Sequence, residues 1–185
     1  LPQQPDLNVH NPRVQDALLE CARFWLDRGV DGFRLDAVNY AMHDPQLRDT
    51  PPPPADGRVR TRPCDFQLPR YNKSHPDIPL FIERIRELVD GYRDRFTVAE
   101  VGGADAGEDR ESFTAGAKRF HSAYGFNFLQ ADKLTPQLVQ QAVATWPDQA
   151  GIGWPSWAFS NHDAPRAASR WGSTADRAAI ARVTM

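Results

Sequence analysis

The stretch GFRLDAVNY, Gly32 to Tyr40, decides how this chain is read. Phe33, Leu35 and Ala37 alternate with Arg34, Asp36 and Val38, a period of two that predicts a strand over residues 32–38. Arg34 and Asp36 are two residues apart and so share one side of that strand, where the guanidinium would keep the carboxylate ionised by charge and hydrogen bonding. Two charges in a run of buried character need a partner or a task.

Outward from this strand, helix and strand patterns alternate. On the N-terminal side, Asn11-Pro12 reads as an N-cap with Pro at the first helical position, and Val14, Leu18, Cys21, Ala22 and Trp25 recur at helical spacing until Gly29. On the other side, residues 44–79 predict a long surface loop, with consecutive prolines from Pro51 to Pro54 and more at Pro63, Pro69 and Pro76. Phe81, Ile85, Leu88, Val89 and Tyr92 then mark a second helix, and FTVAEV (Phe96 to Val101) a second strand. YGFNFL (Tyr124 to Leu129) predicts a third strand and Thr135-Pro136 opens a helix carrying Val139, Ala142, Val143 and Trp146. WAFSN (Trp157 to Asn161) predicts a fourth strand, after which Thr174 caps a closing helix with Ala178 and Val183.

This order argues for βα units and a parallel sheet, either open and doubly wound or part of a (β/α)8 barrel. No Gly-rich phosphate turn follows a strand, and polar residues end several of them: Asp36, Glu100 and Asn161-His162-Asp163. Both observations favour an α/β fold of barrel type. About four strands are roughly half of such a barrel. The chain begins at Leu1 without an initiator Met and stops at Met185 inside a helical pattern, so a piece of a longer protein is expected. Without the true N-terminus, no signal peptide or localisation can be read.

Composition describes one globular unit: 185 residues, 41% hydrophobic and 25% charged, enough to bury a core. The net charge of -2, with acids and bases interspersed, lacks the basic stripe that nucleic acid or an anionic membrane surface would need. No apolar stretch reaches membrane-spanning length, so neither nucleic acid nor membrane is an expected partner. Cys21 and Cys64 make neither a disulfide framework nor a zinc spacing, and both read as free thiols acting as small buried hydrophobes.

Asp36, Glu100 and Asp163 are remote in sequence and can meet only where strand ends meet, as at a barrel mouth. Each acid alone also reads as a helix cap or the partner of an arginine. Together, with Arg34 and His162 beside two of them, they fit a different chemistry. Asp36 beside Arg34 suits an ionised nucleophile, whereas Glu100, ending the apolar run VAE, is placed for a raised pKa and general acid work. One charged and one protonated carboxyl is what glycosyl transfer requires.

The motifs carry a resemblance to glycoside hydrolase family 13, the α-amylase superfamily, and within it to the α-glucosidase and oligo-1,6-glucosidase branch. QPDLNVHNP (Gln4 to Pro12) resembles the segment before the third barrel helix, GFRLDAVNY the fourth-strand motif, FTVAEV the fifth and FSNHD (Phe159 to Asp163) the seventh. The resemblance implies a partial (β/α)8 TIM barrel over residues 1–185, approximately strands 4 to 7 with their helices. The N-terminal strands, the eighth strand and a C-terminal β-domain would lie outside it, as would any calcium site in the first barrel loop; no cofactor is expected within these residues. By the same resemblance Asp36 is the nucleophile, Glu100 the acid/base and Asp163 the third, transition-state-stabilising carboxylate. His162 is similar to the family's sugar-hydroxyl ligand, Arg34 to the partner of the nucleophile, and Arg166 to an arginine of the glucose pocket.

The implied activity is a retaining α-glucosidase acting on gluco-oligosaccharides or disaccharides. A small residue after the nucleophile, here Ala37, accompanies α-1,4 over α-1,6 linkages in that branch. Two alternatives stay open: a transglucosylase or sucrose-isomerising enzyme with the same residues, and a non-catalytic binding relative that keeps the barrel. The 185 residues alone are expected to be inactive, and the Pro-rich loop, following the fourth strand, is expected to wall the acceptor side of the pocket. Tyr124, Trp154, Trp157 and Phe159 read either as sugar platforms or as core aromatics.

Overall fold

The computed structural model describes residues 5–57, 59–61, 63–103, 106–146, 153–173 and 175–184, apart from the side chains of residues 64 and 106. Gln4, the cap at Thr174 and the Cys64 thiol of the sequence reading lie outside the described residues. Four strands, β1 (Gly32–Leu35), β2 (Phe96–Glu100), β3 (Ser122–Gly125) and β4 (Trp154–Trp157), form one sheet in sequential order. Every neighbouring pair is parallel, as βα alternation requires. The helices are α1 (Pro12–Leu26), α2 (Ile78–Asp90), α3 (Ala106–Thr114), α4 (Pro136–Ala144), α5 (Ala167–Trp171) and α6 (Arg177–Thr184).

Capping starts the helices where the sequence signals it. The Asn11 side chain accepts from the Arg13 amide at 3.0 Å ahead of α1, and Thr135 accepts from the Leu138 amide at 3.1 Å ahead of α4. The core lies between sheet and helices: Phe33, Leu35, Ala99 and Ala123 on one sheet face pack with Ile78, Phe81, Ile82, Ile85 and Val89 of α2. Register places Arg34 beside Val98, and Glu100 beside Tyr124, on the opposite face. That face is free to carry polar chemistry because the apolar burial is done on the other.

Several expectations are corrected. β1 ends at Leu35 rather than residue 38, because Ala37 adopts a left-handed conformation (φ 39°) and turns the chain into a 3-10 turn at Val38–Tyr40. β3 lies at Ser122–Gly125, so most of YGFNFL is not strand. The segment turns instead, with the Gln130 amide donating to the Phe126 carbonyl at 3.0 Å, Phe126 half-buried, and Phe128 buried near Phe159 and Trp171. β4 is WPSW rather than WAFSN; Pro155 is tolerated because β4 is an edge strand. In α1 the buried side is Leu18, Leu19, Ala22 and Leu26, while Cys21 is exposed and Trp25 is 53% exposed. Cys21 is therefore a free surface thiol, not a core residue.

Candidate active site

Arg34 organises the C-terminal edge of the sheet. Its Nη1 donates to Asp36 Oδ1, its Nη2 pairs with Glu100 Oε1 at 2.6 Å, and Nη2 and Nε donate to the Tyr124 hydroxyl at 2.9 and 3.2 Å. The Tyr124 hydroxyl in turn donates to Glu100 Oε1 at 3.0 Å, and the Ala37 amide donates to Glu100 Oε2 at 3.2 Å. Arg34 of β1 thus ties Asp36, just past its own strand, to Glu100 of β2 and Tyr124 of β3. The left-handed turn at Ala37 has its use here, since it aims that amide at Glu100.

The two acids differ in environment: the Glu100 side chain is 6% exposed and that of Asp36 is 73% exposed. Hydrogen bonding to Glu100, and then to Arg34 against a modest burial cost, holds the Asp36 carboxyl below the usual carboxylate range, with the charge of His162 adding to the effect. Burial disfavours the Arg34 charge, but its bonds to Tyr124 and Asp36 and the charge of Glu100 outweigh that and raise its pKa. Burial, opposed by Arg34 and assisted by the bond to Glu100, pushes the Tyr124 phenol up, so it stays a donor.

His162 and Asp163 lie on an exposed turn beyond β4, their side chains 72% and 79% exposed and 3.5 Å apart. The Asn161 side chain shapes this turn by accepting from the amides of Asp163 and Ala164 at 3.0 and 2.9 Å. His162 is near enough to act on Asp36 electrostatically. Among the described residues the Asp163 carboxylate pairs only with His162, and Arg166 is exposed at the N-cap of α5. The structure thus gathers Arg34, Asp36 and Glu100, sets His162 near them, and leaves Asp163 and Arg166 on the rim.

Two further residues build the site, and the motif reading missed their part in it. The sequence offers Tyr124 only as a sugar platform or a core aromatic, yet its hydroxyl bridges Arg34 and Glu100. Arg170 donates to the carbonyls of Ala131, Pro165, Phe128 and Phe159 at 2.8 to 3.0 Å, binding the turn after β3 to the turn that carries His162 and Asp163. Trp171 Nε1 adds a bond to the Ala131 carbonyl at 2.7 Å. Of the other candidate aromatics, Phe159 is packed with Phe128 and Trp171, whereas Trp154 is 78% exposed at the sheet edge. The Pro-rich loop is closed at its base by the Asp44 amide on the Tyr71 carbonyl at 2.7 Å.

A parallel βα sheet of barrel type, with a buried and an exposed carboxylate joined on one arginine at its strand ends, defines the class: an α/β-barrel scaffold for acid chemistry. The catalytic-domain profile of the alpha-amylases matches residues 1–185. The chain belongs to that family, which is the glycoside hydrolase family 13 of the motif reading. It is 44% identical over 177 residues, 92% of its length, to a protein of Rhizobium meliloti (strain 1021) named "Probable alpha-glucosidase". It is 30% identical over 182 residues, 92% of its length, to the oligo-1,6-glucosidase of Parageobacillus thermoglucosidasius. Among solved structures, the alpha-glucosyl transfer enzyme XgtA superposes with a TM-score of 0.83 at 42% identity over 94% of this chain. The chain spans about a third of these proteins, 32%, 31% and 33% of their respective lengths.

Proposed function

We propose that the protein carrying this chain is a retaining α-glucosidase. The observation that carries this reading is that Asp36 and Glu100 share one guanidinium, Asp36 on Nη1 of Arg34 and Glu100 on Nη2 at 2.6 Å. Two carboxyls on neighbouring nitrogens of one guanidinium support the roughly 5–5.5 Å separation of a retaining pair over the roughly 6.5–9.5 Å of an inverting one. Asp36, ionised beside Arg34, attacks the anomeric carbon while Glu100 protonates the departing glycosidic oxygen. Water, giving its proton to Glu100, then attacks the same carbon and releases Asp36. Asp163 and His162 contact the sugar hydroxyls as the ring flattens, and Arg166 lines the glucose pocket. The substrates are α-1,4-linked gluco-oligosaccharides or disaccharides, favoured by the small Ala37 beside the nucleophile.

The test uses the full-length protein and p-nitrophenyl α-glucoside. Asp36→Asn is expected to abolish turnover, and a slowly hydrolysed fluorinated glucosyl fluoride is expected to add one sugar mass to the peptide containing Asp36. Label on another residue, or none with activity intact, overturns the retaining role of Asp36. Transglucosylation is a second reading, favoured by the likeness to the transfer enzyme. Product analysis at high maltose separates the two, since hydrolysis yields glucose and transfer yields longer sugars. A non-catalytic binding role is disfavoured because all three acids are present.

A further inference from the structure

Three of the five histidines meet away from the carboxylate centre. His10 lies just ahead of α1, His43 in the loop after β1 and His75 just ahead of α2. The His10 ring sits edge-on to that of His75 at 4.7 Å and to that of His43 at 5.3 Å. Asp77 completes the group: His10, His75 and Asp77 each offer one nitrogen or oxygen, all within 4.8 Å of one another. None of these residues touches Arg34, Asp36 or Glu100 in the contacts described above.

We propose that His10, His75 and Asp77 bind a divalent transition metal of the zinc class, tying the entry of α1 to the entry of α2. Four-coordinate zinc with bonds of about 2.0–2.1 Å sets neighbouring donors about 3.3 Å apart. His75 Nδ1 is 3.7 Å from Asp77 Oδ2, close to that spacing, and it accepts the Asp77 amide at 3.2 Å, a long bond that an ion on Nδ1 would displace. Drawing in the third donor from at most 4.8 Å takes about 1.5 Å of side-chain movement, within reach of small rotations.

The surroundings favour a metal over a chance cluster. His10 Nε2 lies 2.6 Å from the His43 carbonyl and donates its proton there, which leaves Nδ1 with a free lone pair. A ligating histidine ordinarily gives its other N–H to just such a carbonyl. The His75 side chain is 18% exposed and that of Asp77 55% exposed, so the group is walled on one side and open to an incoming ion on the other. Two imidazoles with one carboxylate select zinc, nickel, cobalt or copper over calcium and magnesium, which take all-oxygen shells. The donors come from segments 65 or more residues apart in the chain, so the full site exists only in the folded state and its occupancy stabilises that state. The Pro-rich loop would then be pinned at its downstream base, next to the start of α2.

The experiment is titration calorimetry on the full-length, tag-free, chelator-treated protein with zinc, joined to melting curves and the visible spectrum with cobalt(II). One zinc equivalent is expected, with a raised melting temperature and cobalt bands of four-coordinate intensity. His10→Gln and Asp77→Asn are each expected to weaken zinc binding at least tenfold. Asp77 makes no side-chain cap to α2, so Asp77→Asn removes a ligand without removing a cap and decides the matter should His10→Gln disturb folding. No saturable zinc binding, undiminished binding in Asp77→Asn, or equal binding of magnesium overturns the proposal.

Discussion

Removing one oxygen atom from Tyr124 tests how the site is held together. The ring is 9% exposed, and phenylalanine fills the same volume, so Tyr124→Phe opens no cavity and isolates the hydroxyl. That hydroxyl donates to Glu100 Oε1 at 3.0 Å and accepts from Arg34 at 2.9 and 3.2 Å. Hydrogen bonds to charged groups contribute about 1.5–3 kcal/mol each. The two losses do not count equally. The Arg34 side chain is 34% exposed and water can replace its lost acceptor, whereas the Glu100 side chain is 6% exposed and water reaches it poorly. One charged bond, about 1.5–3 kcal/mol, is therefore the expected cost. Glu100 keeps its 2.6 Å pair to Arg34 and its bond to the Ala37 amide, so the carboxyl stays in place on average but loses one of its fixed directions.

If that direction matters only as the glycosidic oxygen takes its proton, the whole cost falls on kcat, a drop of about 10- to 150-fold with KM within about twofold of wild type. Steady-state kinetics on p-nitrophenyl α-glucoside in the full-length protein, with a melting curve beside it, reads both effects. A melting temperature that falls while kcat holds would show the hydroxyl to be structural only. A rise in KM alone would place it in substrate binding rather than in positioning Glu100.

Other perturbations probe the frame around the site. Arg170→Met keeps the apolar stem but removes the bonds to four main-chain carbonyls; a loss of about 3 kcal/mol in denaturant stability and a fall in kcat are expected, and an unchanged kcat would detach the His162–Asp163 turn from this clamp. Gly32→Ala sets a Cβ against the Phe96 carbonyl at φ 148°, so about 3 kcal/mol or more should be lost from the denaturation midpoint, and an unmoved midpoint refutes the register. Burial, reinforced by the Arg86 charge, lowers the His121 pKa below its ordinary value of about 6.5. A depressed histidine contributes stability that is full above about pH 6.5 and is lost as pH falls through its folded value, because the unfolded chain takes up the proton first. The melting-temperature advantage of wild type over His121→Gln should therefore shrink on acidification from about pH 8 to about pH 5, and a gap independent of pH would refute the assignment.

The helices and strands that the sequence made legible are those whose pattern has one physical cause. α2 buries one continuous stripe, Ile78, Phe81, Ile82, Ile85, Leu88 and Val89, so its period is clean. α3 has no such stripe, because AGEDRESFT buries Phe113 and little else apolar, and α5 is only five residues long. In α1 the apolar residues are more numerous than its packing against the sheet and α2 covers, so the stripe overstates what is buried and Cys21 and Trp25 end outside. Pro155 masked β4 for the opposite reason: a proline is a poor strand signal even where an edge strand accepts it.

The same logic separates the site residues that could be read from those that could not. Arg34, Asp36 and Glu100 are legible because a charge at the end of an apolar run is locally expensive, and the expense is visible without knowing any neighbour. Tyr124 costs nothing locally. A tyrosine in a strand is ordinary, and its hydroxyl acquires a task only through the pairing of Glu100 with Tyr124 across β2 and β3. Placing the third strand at YGFNFL puts Tyr124 at its first residue, where it would lie at the far end of the sheet from Glu100, the last residue of β2. In the structure β3 starts at Ser122, so Tyr124 comes late in its strand and level with the acid. A displacement of two residues preserves which face each side chain takes but not how far along the sheet it stands. Alternation alone therefore cannot find the residue that joins Arg34 to Glu100; that needs the register of β3 on β2, in which Ser122 faces Val98 and Tyr124 faces Glu100.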